Sequence, residues 1–179
     1  KEQIKLAEGA KLAYRQEDIK IDGHAIECRI NAEDPSNDFE PSPGTITNYL
    51  PPGGPGIRIS SSCHSGCKIL PQFDSLLALL ICYGSTRHEA IVRMKRALEE
   101  FIIEGVKTTI PFHNLVLSKK QFLKGNITTS FIENNKIVEE LKDFKPKNEI
   151  LTKEKKVLIV TTAVSQYLER KNSFNNKPN

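Results

Sequence analysis

Residues 23–34 constrain this chain more than any other stretch. Ile26, Cys28 and Ile30 alternate with Glu27, Arg29 and Asn31, with Glu33 following. That is the period of a β-strand with one apolar face. The opposite face carries an arginine between two carboxylates and an amide. A strand fixes side-chain direction better than a loop, so Arg29 is held at a set point. Asp34-Pro35 then ends the strand, because proline cannot donate to a ladder. On residues alone this face also has a plain reading, a solvated strand with Arg29 paired to Glu27 or Glu33.

The rest of the chain reads as short strands around one long helix. Residues 45–50, 57–61, 66–70 and 76–82 are expected to be strands, the last apolar on both faces as a central strand is. Residues 86–103 are the clearest helix. Thr86 and Glu89 form a capping box. Ile91, Met94, Leu98, Phe101 and Ile102 make an apolar stripe, and Gly105 is the expected C-cap. Residues 1–12 read as a helix with Ile4, Ala7 and Leu12 inward. Short helices are expected from Pro111, over 119–124 closed by Gly125, and around Ile137, Val138, Leu141 and Phe144. Further on, Val160, Val164, Tyr167 and Leu168 form a second stripe at helical spacing.

Charge and cysteine placement exclude several classes of function. Residues 1–134 hold 16 Lys/Arg and 16 Asp/Glu, whereas residues 135–179 hold 10 against 6. The net charge of +4 therefore sits in the tail, and a nucleic-acid partner, which needs basic residues on the folded part, is not expected. No apolar run approaches the roughly 20 residues of a membrane span. Pro51, Pro52 and Pro55 remove amides from the glycine-rich run 51–56, which rules out a phosphate cradle there. Cys63-His64-Ser65-Gly66-Cys67, with Cys28 and Cys82, suggests zinc, but the tight pairs with two intervening residues usual in zinc sites are missing and no metal site is expected. Cys28 and Cys82 read as buried thiols, which fits a reducing, cytoplasmic setting.

The run Gly23-His24-Ala25-Ile26-Glu27-Cys28-Arg29-Ile30-Asn31-Ala32-Glu33-Asp34-Pro35, followed by Pro41-Ser42-Pro43-Gly44, resembles the signature opening the C-terminal domain of biotin carboxylases. These are the ATP-dependent components of acetyl-CoA, propionyl-CoA and pyruvate carboxylases. Phe73-Asp74-Ser75 and Ile103-Glu104-Gly105-Val106-Lys107-Thr108 resemble the same family, and the likeness covers residues 1–134. In that family ATP activates bicarbonate, and the carboxyl group passes to a ureido nitrogen of biotin carried on another protein. The resemblance implies that Arg29 is the catalytic arginine that binds biotin and bicarbonate. It also implies that Arg58 lies at a homodimer interface, with Asp74 supporting it. Leu79 stands where the family usually has a lysine.

The resemblance implies an α+β fold: an antiparallel sheet backed by one long and several short helices. Residues 1–20 are expected to be a remnant of a preceding ATP-binding region. Residues 21–134 are expected to be the biotin carboxylase C-terminal domain, and 135–179 a linker and tail. The chain begins Lys1-Glu2-Gln3 and reads as starting inside a longer protein. The implied function is to help place biotin and bicarbonate for ATP-dependent carboxylation, as part of a ligase. The alternative is a non-catalytic docking or dimerisation module for a biotinylated carrier. ATP and magnesium would be held by the upstream region, so the chain alone is expected to be inactive. The expected partners are a biotin carboxyl carrier protein or domain, a second copy of the chain and a carboxyltransferase subunit. The tail stripe is expected to dock on another protein of that assembly.

Overall fold

The computed structural model of the chain describes residues 1–143, 161 and 164–166. Its elements in chain order are α1 (Glu2–Ala7), β1 (His24–Asn31), β2 (Glu33–Asp34), β3 (Glu40–Pro41), β4 (Gly44–Thr45), β5 (Asn48–Leu50), β6 (Ile57–Ser61), β7 (Lys68–Ile69) and β8 (Leu76–Gly84). Then follow α2 (Arg87–Glu100), β9 (Ile102–Glu104), α3 (Ile110–Ser118), α4 (Lys120–Lys124), α5 (Phe131–Asn134) and α6 (Ile137–Asp143). The fold is α+β, as expected.

β8 lies between β1 and β6 in a three-stranded antiparallel sheet, with smaller ladders β2–β3, β4–β7 and β5–β9 around it. The central position explains why β8 is apolar on both faces. Its register with β1 sets Arg29 opposite Leu79 and Ile30 opposite Ala78, then shifts between Ile30 and Asn31. On the inner face Cys28, Ile30, Leu80 and Cys82 meet Ile91, Met94, Ala97 and Leu98 of α2. Ile30, Leu80 and Met94 are wholly buried, and each contributes about 1.5–3 kcal/mol by leaving water. Leu115, Phe131, Ile137 and Leu141 form a second cluster, so the packed body continues past residue 134. A third joins Ala32, Ile46 and Leu77.

α2 begins as its sequence indicates but stops short. The Thr86 side chain accepts the Glu89 amide at 3.2 Å, while the Glu89 carboxylate turns one residue further back and accepts Ser85 N–H at 2.7 Å. The helix ends at Glu100, not residue 103. Residues 102–104 are pulled into the ladder with β5, pairing Asn48 with Glu104 and Leu50 with Ile102. Ile102 is therefore partly exposed, while Phe101 stays buried. Gly105 is a tight turn after β9, not a helix cap. Its φ is +98°, and a Cβ there would stand 2.1 Å from the Thr45 carbonyl oxygen.

The expected strand over 45–50 is two strands. Ile46 N–H donates to Cys67 C=O at 2.9 Å and Thr47 N–H to Glu104 C=O at 2.8 Å, so the chain changes partner between them. The helix expected over 1–12 stops at Ala7, and α1 buries none of its residues; Ile4 within it and Leu12 beyond its end are both exposed, contrary to the inward face expected of them. Val160, Tyr167 and Leu168 of the tail stripe, and Phe144, lie outside the described residues, and Val164 is exposed.

Candidate functional site

Directly opposed residues of an antiparallel pair share a face. The outer face of the sheet therefore carries Glu27 and Arg29 on β1, Leu79, Ile81 and Tyr83 on β8, and Arg58 and Ser60 on β6. Arg29 sits beside Leu79, and Arg58 one step along beside Ile81. Both arginines are exposed and flank one apolar row.

The backbone of Arg29 is held from the side opposite β8. Thr109 at the start of α3 is buried, and its hydroxyl donates to the Arg29 carbonyl at 3.0 Å. The Thr109 hydroxyl oxygen in turn accepts Asn31 N–H at 3.0 Å. His113, one turn further along α3, donates from Nε2 to the Arg29 carbonyl at 3.0 Å. Burial holds its imidazole below the usual histidine range, which keeps it in the neutral form. Thr109 N–H closes the arrangement on the Asn31 carbonyl at 3.1 Å. The backbone of Arg29 is thus fixed by two side chains from one helix.

Its own side chain is left free among the described residues. Among the described residues the guanidinium makes no hydrogen bond or ion pair, with Glu27, Glu33 or any other. Glu33 is committed elsewhere, its Oε1 accepting Asn31 Nδ2 at 2.9 Å and Ser75 Oγ at 2.5 Å. Asn31 Oδ1 is buried with no partner among the described residues. The acidic run next door has its own structural role: Lys107 lies 2.5 Å from Asp34, and with Ser36 it holds that carboxyl below its usual range. Among the described residues no three His, Cys, Asp or Glu side chains are placed to hold a metal ion.

Asp74 lies apart from the two arginines. Its Oδ1 accepts Leu76 N–H at 3.0 Å and so caps the start of β8. With Phe73, Ser75, Leu70 and Pro43 it borders a cleft of about 260 Å³. The structure thus brings Arg29 and Arg58 to one face and leaves Asp74 at the sheet's end. Thr109 and His113 were not singled out in the sequence. Thr109 precedes Ile110-Pro111 as an N-cap residue precedes a helix. Yet it makes no side-chain cap bond, because its hydroxyl goes to β1 instead.

Residues 27–134 match the family model described as biotin carboxylase C-terminal domain. Over 133 residues the chain is 56% identical to biotin carboxylase 1 of Bacillus subtilis, covering 74% of this chain and 30% of that protein. It is 45% identical over 178 residues to a pyruvate carboxylase subunit of Methanothermobacter thermautotrophicus, covering 94% of this chain and 36% of the relative. The chain thus spans about a third of the curated relatives it matches. A solved relative is the biotin carboxylase domain dimer of Hydrogenobacter thermophilus 2-oxoglutarate carboxylase, in complex with MgADP, ADP and bicarbonate. It superposes with a TM-score of 0.76 at 44% identity, over 80% of this chain and 31% of its own. Arg29, the central apolar strand and the helix beneath them all fall inside the matched region, and on these grounds the chain belongs to the biotin carboxylase C-terminal domain family.

Proposed function

We propose that this chain is the C-terminal part of a biotin carboxylase, and that Arg29 acts on bicarbonate and biotin there. The observation that carries the reading is the Arg29 guanidinium: its backbone is pinned by two side chains and its own side chain is unpaired among the described residues, on an exposed sheet face. A planar, permanently charged fork suits the two oxygens of bicarbonate better than an ammonium does. A ureido nitrogen becomes a better nucleophile as negative charge develops on the ureido oxygen. Arg29 stabilises that charge, as an oxyanion donor does. The solved Hydrogenobacter relative, a complex with bicarbonate, supports this reading.

ATP and magnesium are assigned to an upstream region and biotin to a carrier protein or domain. No step is assigned to this chain beyond holding and polarising the two substrates. Arg58 is proposed as a contact between two copies of the enzyme. It stands beside the apolar row Leu79, Ile81 and Tyr83, and the Hydrogenobacter relative is a dimer. Asp74 is proposed to support that interface from the sheet's end, where it caps the start of β8. Residues 1–20 are assigned to the upstream region and the distal tail to contact with a carrier or carboxyltransferase subunit. The four unbridged cysteines fit a reducing, cytoplasmic setting.

The test is ATP-dependent incorporation of labelled bicarbonate into free biotin. The parent protein carrying this chain should incorporate label, and the isolated 179-residue chain should not. Incorporation by the isolated chain, or none by the parent, overturns the reading.

A further inference from the structure

The four cysteines fall into two pairs with different surroundings. Cys28 and Cys82 lie under the sheet, buried, and burial pushes the Cys28 thiol up to about 12. Such thiols are inert. Cys63 and Cys67 are half-buried and lie in the turn joining β6 to β7. That turn is tightly specified. Cys67 N–H donates to the His64 carbonyl at 3.0 Å, and Gly66 N–H to the Ile46 carbonyl at 2.7 Å. Cys63 N–H donates to Ser61 Oγ at 3.0 Å. Gly66 takes the left-handed conformation the reversal needs, at φ +88°. Both cysteine side chains rest on one apolar cluster, Ala32, Ile46 and Leu77.

The geometry points to Cys63 and Cys67 as a dithiol modification site that closes to an intrachain disulfide on meeting a hydroperoxide. The turn closed by the Cys67 N–H to His64 carbonyl bond sets the two cysteines four residues apart on one apolar cluster, both partly open to solvent. Cys67 attacks first and Cys63 resolves. The Cys67 thiolate attacks the outer peroxide oxygen; the O–O bond breaks, and the other oxygen leaves as alcohol or water, leaving Cys67 as a sulfenic acid. The Cys63 sulfur then attacks the sulfenic sulfur. The S–S bond forms, and water departs with the sulfenic oxygen and the Cys63 proton. Two electrons pass from the thiols to the peroxide. The same turn carries Ser65, whose Oγ accepts Tyr49 N–H at 3.0 Å, and lies beside Ser61, which donates to the Leu77 carbonyl at 2.7 Å. The bridge therefore tethers the segment that joins β5, β6 and β8.

The experiment uses the whole reduced chain, treated with equimolar hydrogen peroxide, denatured, alkylated and digested with trypsin. Cleavage after Arg58 and Lys68 releases residues 59–68, which carry both cysteines. This peptide should escape alkylation and be lighter by two hydrogens, and dithiothreitol should return it to the doubly alkylated form. The peptides with Cys28 and Cys82 should stay fully alkylated. In Cys63→Ser, dimedone should trap a sulfenic acid on Cys67. A doubly alkylated 59–68 peptide after peroxide overturns the proposal. So does separate over-oxidation of the two sulfurs, a bridge between chains, or equal loss of Cys28 and Cys82.

Discussion

Replacing Thr109 by valine removes one oxygen and leaves the shape of the side chain. That oxygen bridges two backbone groups of the arginine-bearing strand: it donates to the Arg29 carbonyl and accepts the Asn31 amide, each at 3.0 Å. The carbonyl keeps a partner in His113, so its loss is one ordinary hydrogen bond, about 0.5–1.5 kcal/mol. The Asn31 amide has no such reserve and is left unsatisfied against a buried side chain, which costs about 1–3 kcal/mol. Together Thr109→Val should destabilise the chain by about 1.5–4.5 kcal/mol, a large share of a typical domain's stability of ~5–15 kcal/mol. Urea unfolding followed by circular dichroism reads this as a lower midpoint at unchanged slope. Thr109→Ser keeps the oxygen and loses one methyl, so it should cost about 1 kcal/mol. Equal midpoints for Thr109→Val and Thr109→Ser would show that the hydroxyl does not hold β1.

Stability should also depend on pH through His113. Burial depresses its pKa in the folded state below 6.5, so the unfolded chain binds the extra proton first. This contribution is complete above that value and is lost as pH falls towards the folded pKa; His113→Gln should flatten the midpoint between about pH 7 and 5. Gly105→Ala forces a Cβ to 2.1 Å from the Thr45 carbonyl at φ +98°, and should cost about 3 kcal/mol or more by thermal melting. A near-native melting temperature would refute that turn. Arg58→Glu in the parent enzyme should shift sedimentation from dimer to monomer with the fold unchanged; an unaltered dimer returns Arg58 to plain solvated surface.

The sequence showed some of this more clearly than the rest, for physical reasons. The alternation in β1 was legible because burial acts residue by residue: Cys28 and Ile30 are buried and Arg29 is exposed. The start of α2 was legible because a cap is local, with Thr86 three residues from the amide it accepts. The end of α2 was not, because residues 102–104 are drawn from the helix by a strand more than 50 positions away, a competition no local period records. Thr109 and His113 act on Arg29 across 80 and 84 positions. Their role depends on where α3 lands against β1, which only the assembled fold decides. The inward face expected of α1 failed for a related reason. Its apolar residues stay uncovered by the described residues of the chain.

The most direct test of the central claim is biotin carboxylation by the parent enzyme with Arg29→Ala, measured beside ATP binding. Losing one oxyanion-type donor should lower kcat by about 10²-fold or more with ATP affinity nearly unchanged, and Arg29→Lys should recover only part of it. Unaltered carboxylation in Arg29→Ala would contradict the account and leave the exposed guanidinium as solvated surface.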